Sequence, residues 1–191
     1  TGLFVGENSR VEINRFVQEP FKPDRNSLVD SPLEPSISQS DVHVAHGAVG
    51  VCTSQLVSGS SMSYSTPQAI VNIRGGKVSI VTNANETIVD LLDGDITVRG
   101  GSKDVGGQIL RPGERAVVRA APAGLPSFVT ISRIPSEAML ASDERVSVAC
   151  NAKKTVTFEI IERKAEAGLD DPSASASGGT SPADDEAGAE G

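Results

Sequence analysis

Large aromatic side chains are scarce in this chain, which has no Trp, one Tyr and five Phe among its 191 residues. Val, Ile, Leu and Ala must therefore supply nearly all of the buried surface, although the length suffices for a core of its own. Thin or stacked β-layers suit that supply, because β-branched side chains pack well on a pleated surface. The scarcity of aromatics therefore favours an all-β fold.

The chain also has no excess of basic residues and no long apolar run. A membrane-spanning helix needs roughly 20 apolar residues, so we expect no membrane span. The net charge of −8 arises in residues 165–191, which hold seven of the 25 acids and no Lys or Arg, so residues 1–164 carry 18 acids against 17 bases. Without a basic stripe and interleaved aromatics, we expect no nucleic-acid partner.

Only two cysteines are present, Cys52 and Cys150, and they have no metal-ligand spacing. They fit either one disulfide that closes a long loop or two inert buried thiols. We favour the disulfide, on condition that the compartment is oxidising.

Residues that could carry chemistry are few. His43 and His46 are the only histidines, and a strand would place them on opposite faces, which disfavours a shared metal ion. Asp90, Asp93 and Asp95 could bind calcium weakly, but a solvated role around a turn is favoured. No Gly-x-Ser-x-Gly elbow is present. We therefore expect no catalytic residue, no metal and no cofactor, and hence a protein that is not an enzyme.

Short alternating apolar segments, each closed by a turn residue, are what the chain does contain. They recur about every 8–12 residues, the spacing typical of all-β proteins. We predict strands over most of residues 3–161, including residues 146–148 and 155–161, and a single short helical turn at 136–140.

Glycines mark the ends of these apolar segments at Gly75, Gly94 and Gly113, and we expect each to turn the chain. Pro112 and Gly113 together have the signature of a type II turn. Arg74 is the one charged residue that ends its apolar strand. We predict that its guanidinium donates to the carbonyls of neighbouring turns; an anion site with Lys77 is the alternative.

Two segments interrupt or follow the strands. Residues of about 18–40 contain four prolines, which predicts a long loop that is either solvated or in contact with a partner. Residues 165–191 are dominated by Ala, Gly, Ser, Asp, Glu and Pro, and bury too little to offset the cost of ordering them. We therefore divide the chain into a β domain over 1–164 and an acidic tail over 165–191.

The order of these motifs resembles the FecR-type extracytoplasmic domain of bacterial proteins, over roughly residues 2–120. The resemblance is carried by a Thr-Pro-x-Ala-x-Val-x-Ile-Arg-Gly segment, a Leu-x-Gly-x-Ile segment, a Leu-x-Pro-Gly-Glu-x-Ala-x-Val segment and an opening Gly-x-Asn-Ser-x-Val-x-Ile strand. In this sequence they lie at Thr66–Gly75, Leu92–Ile96, Leu110–Val118 and Gly6–Ile13.

The resemblance implies a β-solenoid-like stack of short strands, with a β-sandwich or jelly roll as the alternative, in the periplasm or outside the cell. It also implies that strands precede Thr1 in a longer precursor. Because regulators of the family carry a membrane helix and a small α/β domain that are not evident here, we expect a non-catalytic structural or protein-interaction component of an envelope assembly, whose partners are other protein subunits. A sensory or regulatory domain is the alternative.

Overall fold

In a computed structural model, the residues that are described, 1–21, 31–101, 103–122, 125 and 127–154, form nine β-strands and one helix. This confirms the predicted all-β class. The predicted strand at 155–161, the domain boundary at 164 and the acidic tail lie outside the described residues. The elements are β1 (Gly2–Val5), β2 (Arg10–Gln18), β3 (Ser38–Thr53), β4 (Ser61–Ser65), β5 (Ile70–Thr82), β6 (Glu86–Arg99), β7 (Gln108–Leu110), β8 (Glu114–Arg119), β9 (Phe128–Arg133) and α1 (Ser136–Lys154).

Three long strands, β3, β5 and β6, each take part in two layers. The first half of β3, the first half of β5 and the second half of β6 join β2, β4 and β7, in the order β2-β3-β4-β5-β6-β7. The remaining halves join β1, β8 and β9, in the order β1-β3-β5-β6-β8-β9. We call these the first and second layers. Long strands that bend from one sheet into another are a known way to build the corners of a sandwich.

Glycines make the corners where β5 and β6 bend. Gly76 and Gly94 are directly paired, with φ angles of 121° and 104°, in the left-handed region that disfavours other residues. A Cβ on Gly94 would lie 2.1 Å from the carbonyl oxygen of Gly75. The predicted chain reversals at Gly75 and Gly94 are therefore wrong: both glycines bend a strand that continues, because the neighbouring strand bends at the same place.

The turn at Pro112 and Gly113 does reverse the chain, between β7 and β8. The amide of Glu114 donates to the carbonyl of Arg111 over 3.0 Å, and Gly113 has a φ of 85°. An i to i+3 hydrogen bond with a positive φ at the third position is the geometry predicted from the sequence.

The two layers share one hydrophobic core. Every named strand pairing is antiparallel except that of β3 with β4, so the described residues do not wind into parallel coils as a solenoid would. The arrangement follows the sandwich alternative. The buried cluster draws side chains from both layers, with Val42, Val44, Tyr64, Val71, Ile73, Ile96 and Val98 from the first and Val49, Val51, Val78, Ile80, Val89, Leu91 and Val118 from the second.

Helix α1 is longer than the sequence predicted and includes residues 146–148, which we expected to form a strand. That expectation is wrong because Val146 belongs to a helical pattern: Ser142, Val146 and Ala149, spaced four and three apart, are all buried. Val148 lies on the other side and is 46% exposed. Among the described residues no helix has both the length and the apolarity to cross a membrane.

The corner predicts a large stability loss for Gly94→Ala. The substitution combines a disfavoured φ with overlap against backbone atoms that cannot move aside, so we expect the free energy of unfolding to fall by more than about 3 kcal/mol in denaturant titrations. Gly106→Ala is the matched control, because the nearest atom to its added Cβ is 3.9 Å away. We expect that control to stay within about 0.5 kcal/mol of the parent. Equal effects of the two changes would contradict the role given to the corner.

Candidate functional site

The outer face of the second layer carries α1, and small residues there allow a close approach. Gly50, on β3, is paired with Ser79, on β5, and a Cβ added to Gly50 would lie 2.4 Å from the carbonyl oxygen of Arg145. A Cβ on Gly2 would lie 1.8 Å from the carbonyl oxygen of Ala149. The helix therefore rests directly on the backbones of β1 and β3.

A charged pair continues this row across the sheet. Asp90, on β6, is paired with Arg115, on β8, and the guanidinium donates to both carboxylate oxygens over 2.6 and 2.7 Å. The hydroxyl of Ser142 on α1 donates to the same carboxylate over 2.6 Å. The hydrogen bond to Asp90 raises the pKa of Arg115 above its ordinary value. This cluster ties two strands to the helix.

A disulfide provides the second tie between helix and sheet. Cys52, on β3, and Cys150, on α1, are bonded, with their Cα atoms 5.0 Å apart. Of the two states left open by the sequence, this is the one that the structure contains. Its 98-residue separation makes it a long-range crosslink.

The remaining residues singled out in the sequence are scattered. The Arg74 side chain is exposed and makes no hydrogen bond or ion pair within the described ranges. The predicted hydrogen bonds from its guanidinium to the carbonyls of neighbouring turns are therefore not formed there. Its carbonyl instead accepts from the amide of Leu56 over 2.7 Å. His43 bonds to Ser65 over 3.0 Å, and His46 is exposed. In the part of the chain that is described, no three His, Cys, Asp or Glu side chains gather closely enough to hold a metal ion.

The Thr-Pro motif has a structural role that the sequence did not indicate. Thr66 and Gln68 are buried and join a polar network with two threonines at the β5–β6 hairpin. The carbonyl oxygen of the Gln68 side chain accepts from Thr82 and Thr87, and its amide donates to the carbonyls of Asn83 and Ala84. Among the described residues, this network leaves no buried side-chain donor or acceptor without a hydrogen-bond partner.

Strand β2 is an exposed edge. In the described part of the chain it pairs with β3 alone, and Ile13, Phe16 and Val17 are 60%, 70% and 55% exposed. Arg10 and Glu12 form an exposed ion pair at its first end, whereas its last three residues carry no charge. A long edge with exposed apolar side chains is a template for pairing with another strand. We call residues Arg10–Gln18 the β2 edge.

A cavity of about 350 Å³ lies beside the end of the β2 edge, between the two layers. Its volume falls within the roughly 300–1,000 Å³ range of ligand pockets. The first layer contributes Phe16, Val17 and Ser40, the second contributes Thr53, and Leu33 and Lys153 complete much of the wall. We call this space the interlayer cavity.

Sequence reasoning missed both the Asp90 cluster and the cavity. The expected solvated role is wrong for Asp90, which lies within β6 and is 2% exposed. It stands between two apolar neighbours, and such a lone acid in a strand is a signal that a partner lies opposite. Its partner is 25 residues away, on a strand whose register the sequence does not reveal. The cavity had a fainter signal: the alternating valines of β3 give way to Ser40 at one end and Thr53 at the other.

Comparison with known proteins gives structural neighbours only. No protein-family model matches this chain, and no curated protein matches it. A crystal structure, at 2.50 Å resolution, of a candidate anti-sigma factor from Parabacteroides distasonis is similar with a TM-score of 0.43 and 12% identity, covering 70% of this chain and 63% of that one. A second, at 1.65 Å resolution and given the same description, has a TM-score of 0.42 and 13% identity, covering 74% and 58%. This chain thus spans about three fifths of each neighbour.

The Asp90–Arg115 pair predicts a strong coupling between sheet and helix. Asp90→Ala leaves a shielded guanidinium without its carboxylate, so we expect a loss of about 3–5 kcal/mol in the free energy of unfolding. The double variant Asp90→Ala, Arg115→Ala should lose less stability than the sum of the losses of the two single variants. A double-mutant cycle measures this difference. The exposed pair Glu86 and Arg119 is the control, with an expected coupling below about 1 kcal/mol. Similar coupling in both pairs would contradict the assignment.

The disulfide predicts that alkylation of the unfolded protein adds no mass before reduction and two alkyl groups after it. Reduction should lower the free energy of unfolding by roughly 2–5 kcal/mol, because the crosslink restricts the unfolded chain over a long loop. The Cys52→Ala, Cys150→Ala double variant is the control and should be as stable as the reduced protein. Labelling without reductant would rule out the bond.

Proposed function

We propose that this chain is a non-catalytic, extracytoplasmic domain that acts by binding another protein through the β2 edge. The observation that carries the proposal is the exposure of Ile13, Phe16 and Val17 on a strand with one free side among the described residues. Main-chain hydrogen bonds along such an edge supply affinity for an extended segment of a partner.

The extracytoplasmic location is supported by the disulfide and by the sequence motifs. Disulfides persist in oxidising compartments and are rare in the cytosol. The resemblance of residues 2–120 to the FecR-type domain implies the same side of the bacterial membrane.

Within this proposal, a sensory or regulatory role is better supported than the assembly role that the sequence favoured. The resemblance is to a family that includes transmembrane regulators. A single edge with a cavity at its side also suits recognition of one particular segment, because alternate side chains of an added strand can be selected by a pocket. In this role, occupancy of the β2 edge by a partner protein is the signal.

The assembly role remains the second candidate, because a second edge is also exposed. Strand β9 pairs with β8 alone among the described elements, and its Phe128 is 67% exposed. Two binding edges on one subunit would allow a chain of subunits to form.

Site-specific photocrosslinking in the source bacterium tests the proposal. A photoreactive residue at Ile13 of the full-length protein should give one discrete crosslinked protein, and Val17→Lys should abolish it by placing a charge on the edge. The control position is Leu140, which is 77% exposed on α1 and should give no such product.

Crosslinking from Leu140 but not from Ile13 would overturn the proposal. Crosslinks from both Ile13 and Phe128 to further copies of this chain would favour the assembly role. The full gene product offers an independent check: a membrane helix and an anti-sigma segment upstream of Thr1 are expected for the regulatory role, and a cleavable secretion signal for assembly.

A further inference from the structure

We propose that the interlayer cavity is the specificity pocket of the β2 edge and receives one large apolar side chain of an extended partner segment. This inference rests on the proposed function and adds the chemistry of the partner to it. The partner is thus a strand-forming peptide segment with a side chain such as Leu, Met or Phe at the position beside the cavity.

The cavity exists because the core side of β3 changes its residue type at both ends. Val42 and Val44 fill the space of the first layer, and Val49 and Val51 that of the second. Beyond these valines lie Ser40 and Thr53, which are 6% and 8% exposed and too short to span the layers. Protein interiors are normally packed without such voids. A pocket more than twice the roughly 150 Å³ of an engineered cavity that binds benzene can hold a large side chain.

The position of the cavity matches the reach of an added strand. Phe16 lies opposite Ser40 in the register of β2 and β3, so it points to the side on which the cavity lies. A strand added outside β2 would run about 4.8 Å further out, with every second side chain on that same side. One of these side chains would then stand beside Phe16 at the cavity.

The walls favour an apolar occupant over a charged one. Phe16, Val17 and Leu33 supply apolar surface. The carboxylate of Glu34 already accepts from the amide of Val57 and from the hydroxyls of Ser38 and Ser60. The amine of Lys153 donates to Ser54 over 2.6 Å. Both charged side chains are therefore engaged within the protein, and neither is available to pair with a charge inserted by a partner.

Selection from a displayed library of short random peptides against the full chain tests this inference. We expect enriched peptides to share one large apolar residue in an otherwise strand-forming sequence, and to protect the amides of β2 from hydrogen exchange. With a synthetic copy of one enriched peptide as the probe, replacing its apolar anchor by Ala should weaken binding about tenfold or more.

The matched protein variants are Ser40→Leu and Gln39→Leu. They make the same substitution type at adjacent positions of β3, but only Ser40 lines the cavity. Ser40→Leu should occupy part of the pocket and weaken the probe about tenfold, whereas Gln39→Leu should leave its affinity within about twofold. Thermal melting of each variant checks folding, and the Ala-anchor peptide on the parent protein serves if Ser40→Leu does not fold.

The outcomes separate the inference from the function on which it rests. Loss of binding with Ile13→Lys, a change on the β2 edge outside the cavity wall, but not with Ser40→Leu or the Ala-anchor peptide would keep the β2 edge and overturn the pocket. Failure to enrich any peptide that protects β2 would overturn both. A dimer seen by light scattering and lost in Ser40→Leu would identify a second copy as the occupant. Binding only after removal of residues 155–191 would identify a segment of this chain as the occupant of the pocket. A second copy or this chain's own segment as occupant would each overturn the inference.

Discussion

The backbone contact between Gly76 and Gly94 is the constraint on which the two-layer arrangement depends. The two residues are paired across β5 and β6 at the point where both strands leave one layer and enter the other. A side chain on either would collide with main-chain atoms of the other strand, so the bend exists only while both positions lack a Cβ. The shared core follows from this contact, because the bend brings Val71 and Ile73 of one layer over Val78 and Ile80 of the other.

The position of α1 likewise depends on glycines that allow a close approach of two backbones. Gly2 and Gly50 remove the side chains that would otherwise hold α1 away from the second layer. At that short distance the Ser142 hydroxyl reaches Asp90, and Cys150 reaches Cys52. Packing, an ion pair and a covalent bond thus act at one interface, and each depends on the spacing that the glycines allow.

The parts of the fold that could be predicted from sequence are those set by local chemistry. Pro112 and Gly113 form the expected turn because its dihedral angles are decided within four residues. Gly94 was located correctly but misread, since a reversal and a bend both need a positive φ, and only the distant Gly76 distinguishes them. The short apolar run at 146–148 is compatible with the residue period of a strand and with that of a helix. Packing of this segment against β1 and β3 favoured the helix.

The candidate site was less predictable for a related reason. The exposed side chains of β2 read as an ordinary half-buried strand, because the sequence does not reveal that β2 lies at an edge. The cavity depends on Ser40 and Thr53, which are 13 residues apart and come together only after β3 has bent. Arg74, by contrast, drew attention as a lone charge after an apolar strand, yet its side chain faces solvent and its carbonyl makes the contact with Leu56.

The placement of the crosslink has a consequence for the order in which the molecule is completed. Cys52 lies in β3, whereas Cys150 lies in the last described element, 98 residues later. A chain that emerges with its amino end first, from a ribosome or an export channel, presents a lone thiol while every strand from β4 to β9 is still to come. During that interval the thiol is available to cysteines of other chains, and only the arrival of α1 covers it. Until α1 is in place, Cys52 can therefore form a mixed disulfide with another thiol, and the 98-residue separation sets how much of the chain must follow it before its own partner arrives.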